Sequence, residues 1–206
     1  MDQIVISSGR QFVEFCGKQV DPNFFMNEDL AENYEKLYYY LFNPSKSNLD
    51  PQKGIWLCGN IGSGKSFALK VMKRMIINSK LPQSERFTIL TYKSLEREYQ
   101  EYKNEAFDLY GSTGMQTICF DEMFYDTSPV GSNFGGKKIN LTDEMLMDRY
   151  DLFVNSGIKT HVGSNLRIMR VKDLKLVDPR VADRIDEMFN EIIWHGESLR
   201  KGGING

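Results

Sequence analysis

The sequence predicts an α/β domain built on a central parallel sheet of five strands, and three observations lead to this prediction. Short apolar segments alternate with longer amphipathic ones along the chain, as strands joined by helical crossovers do. The chain has 206 residues, 41% of them hydrophobic and 26% charged, which suits one buried core and is too short for two domains and a linker. A glycine-rich segment separates the first apolar strand from a helix. The five strands and their crossovers predict one three-layer domain.

The first predicted elements are helical. A short helical segment contains Phe12, and a second helix starts at Asn27, whose side chain can cap it. Apolar residues share one face of this second helix: Leu30, Tyr34, Leu37 and Leu41. A polar segment from Pro44 to Lys53 ends it. Residues 1–45 are therefore expected to form a helical segment packed on a core of residues 46–206, in a single domain overall.

Runs of β-branched, aromatic and other apolar residues predict the five strands. They are Gly54–Cys58, Arg86–Tyr92, Met115–Phe120, Lys159–Val162 and Glu191–His195. Helices are predicted to start at or near Gly64, Ser94, Thr142 and Asp178. The segment from Asp126 to Asn140 contains Pro, Ser and Gly and is predicted to be an exposed loop.

The glycine-rich segment has the sequence of a phosphate-binding loop. It reads G-N-I-G-S-G-K-S and fits G-x-x-x-x-G-K-[ST] between a strand and a helix, where backbone N–H groups and the helix N-terminus bind phosphates. Lys65 is expected to reach the β- and γ-phosphates, and Ser66 to ligate Mg²⁺. The predicted nucleotide-contacting residues are Gly59, Asn60, Ile61, Gly62, Ser63, Gly64, Lys65, Ser66 and Phe67. The predicted cofactors are therefore ATP and Mg²⁺.

Polar side chains at the ends of two later strands predict the rest of the site. Asp121 follows the third strand, where a carboxylate lies beside the phosphates of the neighbouring loop and holds Mg²⁺ through water. Glu122 can orient and deprotonate an attacking water, which favours hydrolysis over transfer to an acceptor. Asn165, after the fourth strand, can contact the γ-phosphate or the water. These residues predict an ATPase.

The ordered series of motifs resembles the DnaC/IstB group of AAA+ ATPases. The series comprises G-N-I-G-S-G-K-S, F-D-E, D-R-Y from Asp148 to Tyr150, G-S-N-L from Gly163 to Leu166, R-V-A-D-R from Arg180 to Arg184, and G-E-S-L-R from Gly196 to Arg200. It covers roughly Phe12 to Arg200, nearly the whole chain. Single motifs are weak evidence, whereas their order and spacing are specific.

This resemblance implies a three-layer P-loop NTPase core of the AAA+, ASCE type with strand order 5-1-4-3-2. By position, Asp121 and Glu122 match the Walker B motif and Asn165 matches sensor 1. Arg184 matches the arginine finger that acts on a neighbouring subunit, with Arg180 as the alternative, and Arg200 matches the sensor 2 arginine. The implied catalytic set is Glu122, Lys65, Asn165, Arg184 and Arg200, and the metal set is Ser66 and Asp121.

The same resemblance implies the partners. The chain is expected to form an ATP-dependent homo-oligomer on DNA, with single-stranded DNA preferred, and to load a replicative helicase. A transposase is the alternative partner, as in IstB-like transposition helpers. Two other classes use a P-loop, a small-molecule or nucleotide kinase and a nucleotide-gated scaffold. Glu122 and Asn165 argue against the kinase, and the intact pair of Asp121 and Glu122 argues against the scaffold.

Charge and hydropathy limit these expectations. The formal net charge of -2 gives no general attraction to polyanions, so a DNA contact requires a local patch. Candidate contacts are Lys93, Arg97, Lys103, Lys137, Lys138, Arg167, Arg170, Lys172 and Lys175, although solvated charge is the default reading for each. Met1 is followed by Asp2 and Gln3, and apolar runs are short. The sequence therefore predicts no membrane association and a cytoplasmic location.

Overall fold

The computed structural model describes residues 9–26, 28–102, 105, 110–111, 114–125, 131–134 and 137–196. The chain forms two compact units. The first comprises Met1–Pro51, Asn60–Arg86 and Trp194–Gly206, and the second comprises Gln52–Gly59 and Phe87–Ile193. In the described part of the chain, no helix combines the length and the apolar character needed to cross a membrane.

The second unit contains a five-stranded sheet in which all neighbouring strands are parallel. Its strands are β1 (Gly54–Cys58), β2 (Phe87–Thr91), β3 (Thr117–Met123), β6 (Thr160–Ser164) and β7 (Phe189–Ile193). Their order across the sheet is β2-β3-β6-β1-β7. Numbered as five strands along the chain, this order is 2-3-4-1-5, so the predicted fold class and strand order are confirmed. All residues of the inner strands β1 and β6 are buried, as expected for strands covered on both faces.

Four helices of this unit lie wholly within the described residues. They are α4 (Tyr92–Tyr102), α5 (Leu141–Ser156), α6 (Ile168–Asp173) and α7 (Pro179–Met188). Local sequence explains where two of them begin and one ends. Asn140 caps α5 by accepting the Thr142 N–H, and Asp178 caps α7 by accepting the Arg180 N–H. Gly157 ends α5 with φ 66°, a left-handed conformation that favours glycine.

A fully buried arginine fixes the starts of two neighbouring strands. Arg149 on α5 is 0% exposed. Its Nε donates to Thr160 Oγ1 at 2.8 Å, and its two terminal nitrogens donate to backbone oxygens before β3 and β6. Those acceptors are the carbonyls of Tyr110, Gly114, Gln116 and Lys159, at 3.3, 3.2, 3.1 and 2.9 Å. Burial lowers the pKa of Arg149 to about 10, which leaves it charged at neutral pH.

The first unit is helical in its described part. It contains α1 (Gly9–Val20), α2 (Glu28–Phe42) and α3 (Lys65–Ile77). Aromatic rings connect its segments. The ring centroids of Phe24 and Phe67 lie 5.0 Å apart with the rings tilted by 31°, and Tyr34 packs edge-on against Trp194, also with 5.0 Å between centroids. Phe24 and Tyr34 are themselves in edge contact at 5.8 Å. Phe67 is the third residue of α3, so these contacts hold the helix that follows the glycine-rich segment.

Three local predictions are corrected by the structure. The exposed loop predicted over Asp126 to Asn140 is wrong in its second half, where β4 (Gly131–Phe134) and β5 (Lys137–Asn140) pair antiparallel. Two glycines separate these strands in the sequence, a composition typical of a tight hairpin. The last strand begins at Phe189, because this residue pairs with Gly54, and it ends before Trp194. Helix α4 begins at Tyr92, directly after β2, and not at Ser94.

Candidate functional site

The glycine-rich segment has the backbone of a phosphate-binding loop. Gly62 and Gly64 have φ angles of 81° and 94°, in the left-handed region where a side chain is strained. Gly64 stands at the N-cap of α3, and this end of the helix has no side-chain cap. The N–H groups of the first turn therefore lack a capping side chain that a phosphate would have to displace. The loop geometry fits the predicted role in phosphate binding.

Two side chains of the loop are suited to an anion. Lys65 is 8% exposed, and its ammonium donates to the Asn60 carbonyl at 2.8 Å, so it lies along the loop. Ser63 is 1% exposed, and within the described residues its hydroxyl has no hydrogen-bond partner. A buried hydroxyl without a partner is costly, and a phosphate oxygen would satisfy it. The residues present thus fit a bound triphosphate.

Gly196 supports the loop through its lack of a side chain. A Cβ at this position would lie 2.4 Å from the Ser63 carbonyl oxygen and 3.5 Å from Leu30 Cδ2. The first distance is too short for any side chain to be accepted without moving the loop backbone. Sequence reasoning used Gly196 only as the first letter of G-E-S-L-R, so its packing role emerges from the structure.

In the second unit, three strands end level with one another at the edge that carries the predicted polar residues. Cys58 of β1 is in register with Ser164 of β6, which is in turn in register with Met123 of β3. The Gly59 N–H donates to the Ser164 carbonyl at 3.2 Å. The structure thus gathers Gly59, the acidic pair that precedes Met123, and the residue after Ser164 at one edge of the sheet, as expected for parallel strands.

The acidic pair lies in an irregular part of β3. The register between β3 and β6 shifts between Phe120 and Met123, which marks a bulge at Asp121 and Glu122. Glu122 has φ 60°, a strained value for a residue with a side chain, and it is exposed. Asp121 is 6% exposed, and its Oδ1 accepts the Glu122 N–H at 2.9 Å. The two side chains of the bulge thus differ in environment, since Asp121 is buried and Glu122 is exposed.

Asn165 lies in a turn whose two neighbouring residues, Ser164 and Leu166, are both hydrogen-bonded to other strands or to each other. It follows Ser164, which is 0% exposed, donates to the Met123 carbonyl at 2.9 Å and accepts the Leu166 N–H at 3.0 Å. The indole of Trp56 donates to the Leu166 carbonyl at 2.9 Å. Ser164 is a site-forming residue that sequence reasoning missed, and its place directly before Asn165 in G-S-N-L was the available signal.

The predicted arginines differ in their contacts and in their exposure. Arg184 on α7 contacts α5: its guanidinium carbon lies 4.6 Å from the centre of the Tyr150 ring, and Nη1 lies 2.7 Å from Met147 Sδ. Arg180 pairs with Asp178 at 3.1 Å and its side chain is 77% exposed. Arg200 lies outside the described residues. The structure therefore does not bring Arg184 to the strand ends that carry the acidic pair.

Two of the basic residues predicted to contact DNA are ion-paired. Arg167 pairs with Glu191 at 2.8 Å, and Lys172 pairs with Asp186 at 2.5 Å. Glu191 also accepts the Ile168 N–H at 2.7 Å, so it is held at the start of α6. Lys103 and the side chains of Lys137 and Lys138 lie outside the described part of the chain. For Arg167 and Lys172, stabilising ion pairs explain the charge without DNA.

A parallel sheet of this order, with a glycine loop after its first strand, an acidic pair in the last part of its third strand and an asparagine directly after its fourth, defines the P-loop NTPase fold of the AAA+ type. Neither a protein-family model nor a curated protein matches the sequence. Solved structures do match. DnaI is 15% identical, with a TM-score of 0.60 over 92% of each chain.

Two other solved structures share the fold. The DnaC helicase loader is 17% identical, with a TM-score of 0.54 over 85% of this chain and 96% of its own. The replication initiator DnaA, bound to AMPPCP and single-stranded DNA, is 16% identical, with a TM-score of 0.53 over 83% of this chain and 48% of its own. At these identities the likeness shows a shared fold. The resemblance to DnaC-type AAA+ proteins is confirmed at that level.

Proposed function

We propose that this chain binds and hydrolyses ATP and acts in DNA replication as a helicase loader that oligomerises on DNA. The observation that carries the proposal is the glycine loop, with Gly62 and Gly64 in left-handed conformations before the uncapped start of α3. This backbone offers N–H donors and the positive end of a helix dipole to a phosphate chain. The buried Ser63 hydroxyl is a further donor suited to a phosphate oxygen.

The proposed chemistry divides between positioning and proton transfer. Lys65 would neutralise charge on the β- and γ-phosphates, since a lysine ammonium acts there as a compact point charge. Glu122 would orient and deprotonate water, and Asn165 would hold the water or the γ-phosphate. Arg184 would act on the site of a neighbouring subunit and Arg200 on its own. A hydrolytic site of this kind is completed only in an oligomer.

Mg²⁺ would be held by the Ser66 hydroxyl and, through water, by the Asp121 carboxylate. Both groups are oxygen donors, which this cation prefers. When bound, Mg²⁺ would neutralise charge that develops on the phosphate oxygens. Ser66 is the second residue of α3, and Asp121 is a buried carboxylate in the bulged part of β3.

The biological assignment is supported by the proteins that share the fold. One of them is a helicase loader, and another is a replication initiator that binds a nucleotide analogue and single-stranded DNA. We therefore infer that a replicative helicase and single-stranded DNA are the partners of this chain.

Nucleotide binding and hydrolysis can be tested separately. Lys65→Ala is expected to weaken binding of a fluorescent ATP analogue at least tenfold. Glu122→Gln is expected to keep binding within about threefold and to lower the hydrolysis rate about 100-fold, because it removes the general base. Glu101→Gln, an exposed change on α4, is the matched control and should match the unmodified chain. Tight binding with undiminished hydrolysis in Glu122→Gln would refute the assignment of the base.

The loading role needs a second assay. The ATPase rate should rise when single-stranded oligonucleotide is added, and assembly should be visible by light scattering only with ATP and DNA together. A replicative helicase supplied with the chain should then load onto single-stranded DNA coated with binding protein. Stimulation by a transposase without any effect on the helicase would move the assignment to the transposition helpers.

A further inference from the structure

Arg184 is held on α7 by a support that belongs to another helix. Its guanidinium lies over the Tyr150 ring at 4.6 Å, within the range at which an arginine is attracted to an aromatic face. The Tyr150 hydroxyl donates to Glu187 Oε2 at 2.8 Å. Glu187 is one turn beyond Arg184 on α7, so Tyr150 contacts two residues on the same face of this helix.

The other residues of α7 have different contacts from those of Arg184. Val181, Ile185 and Met188 are buried and anchor the helix. Arg180, on the same stripe as Arg184, pairs with Asp178 beside its own helix cap. Arg184 is thus the arginine of the R-V-A-D-R motif whose guanidinium packs against a second helix. An arginine stacked on a ring loses less freedom when it forms a charged contact than one that moves freely.

We propose that Tyr150 is a positioning residue for Arg184, presenting its guanidinium to the nucleotide of a neighbouring copy of this chain. The inference rests on the proposed function, because it assumes that Arg184 acts on a neighbouring subunit. The ring of Tyr150 supplies the stacking face, and its hydroxyl ties that face to Glu187. Tyr150 itself contacts neither nucleotide nor metal in this role. Its effect is therefore on turnover and not on ATP binding.

Two substitutions separate the ring from the hydroxyl. Tyr150→Phe keeps the stacking face and should keep kcat within about twofold of the unmodified chain. Tyr150→Leu removes the face and should lower kcat about three- to fivefold, the loss expected from one partly exposed cation–π contact, with KM for ATP unchanged. Urea unfolding of both variants checks that the fold is intact.

Mixing variants tests whether the effect acts between subunits. Lys65→Ala subunits have a defective phosphate loop but an intact Arg184, and Tyr150→Leu subunits have the reverse. When the two are mixed, the Lys65→Ala subunits should present Arg184 to intact loops and raise turnover per Tyr150→Leu subunit by about two- to threefold. The reference is a mixture of Arg184→Ala and Lys65→Ala subunits, in which the first partner lacks the arginine altogether.

The outcomes distinguish this inference from the proposed function. Unmodified kcat in Tyr150→Leu, with strong loss in Arg184→Ala, would overturn the positioning role alone. A rise in KM matching the fall in kcat/KM, or no recovery in the mixture, would also overturn it. Full activity of assembled Arg184→Ala, or no ATP hydrolysis by the unmodified chain, would overturn the proposed function and this inference with it.

Discussion

Replacing Arg149 should unfold the sheet unit at much lower denaturant concentration, although this residue is not one of the predicted nucleotide, metal or catalytic residues. Its guanidinium makes five hydrogen bonds, to the Thr160 hydroxyl and four backbone carbonyls, and it is 0% exposed. None of these acceptors is a carboxylate. The favourable energy therefore comes from charge-assisted hydrogen bonds that offset the cost of burying the cation.

The magnitude follows from what each substitution leaves behind. Arg149→Met keeps the length and apolar volume but leaves four carbonyls and a hydroxyl without this partner. Unpaired buried groups cost about 1–3 kcal/mol each, and part of that cost is recovered because no cation is buried, so we expect a loss of about 3–5 kcal/mol. Arg149→Lys keeps the charge but has three donors in place of five, and should lose about 2–3 kcal/mol.

Urea unfolding followed by tryptophan fluorescence is the assay, since Trp56 lies in the same unit as Arg149. With a slope of about 3 kcal/mol per molar urea, the midpoint should fall by roughly 1–2 M in Arg149→Met. Arg170→Met, an exposed arginine on α6, is the matched control and should change stability by less than about 0.5 kcal/mol. A loss below about 1 kcal/mol in Arg149→Met, or a larger loss in Arg149→Lys, would refute the reasoning.

Three further predictions concern pH and the phosphate loop. Burial lowers the pKa of His161 to about 3. Between about pH 6.5 and 3 the unfolded chain therefore binds more protons than the folded chain, so the free energy of unfolding falls as pH falls. At pH 5 the loss from this group should reach about 2 kcal/mol. His161→Asn should remove that part of the loss in urea titrations at pH 7 and pH 5. Gly64→Ala should weaken ATP binding at least tenfold, because a side chain is strained at φ 94°. Gly157→Ala is the control: φ is 66° and an added Cβ would meet no atom within 4 Å. This change should cost about 1 kcal/mol of stability and leave the affinity for ATP unchanged. Gly196→Ala should also weaken ATP binding, because its Cβ would displace the Ser63 carbonyl.

Each of these has a result that would contradict it. Equal losses of stability between pH 7 and pH 5 in His161→Asn and the unmodified chain would show that His161 is not the titrating group. Unchanged affinity in Gly64→Ala would mean that the loop tolerates a side chain at that angle. If Gly196→Ala binds ATP normally while remaining folded, the contact with Ser63 does not shape the loop.

Sequence alone determined the fold class and named the residues of the candidate site. The alternation of strands and helices predicted the parallel sheet, and the resemblance of the motif series to the DnaC/IstB group implied its strand order. The phosphate-binding loop was recognisable because the chemistry of phosphate binding requires particular residue types at fixed spacing. The sequence placed Asn165 correctly after its strand, whereas β3 continues through Asp121 and ends at Met123. The sequence did not determine the boundaries of every element. The last strand was predicted from Glu191 but begins at Phe189, because its start depends on pairing with Gly54, which is distant in the chain.

Only the tertiary structure decided which residues support those motifs. Arg149 is one letter of D-R-Y in the sequence, and its hydrogen bonds go to carbonyls that lie before two separate strands, β3 and β6. Strand register likewise decides the left-handed conformation of Glu122 and the hydrogen bonds of Ser164 to Met123 and Leu166. Helix packing decides the contact of Arg184 with the Tyr150 ring. A sequence pattern records which groups chemistry requires, whereas the groups that hold them in place are selected by packing between distant segments.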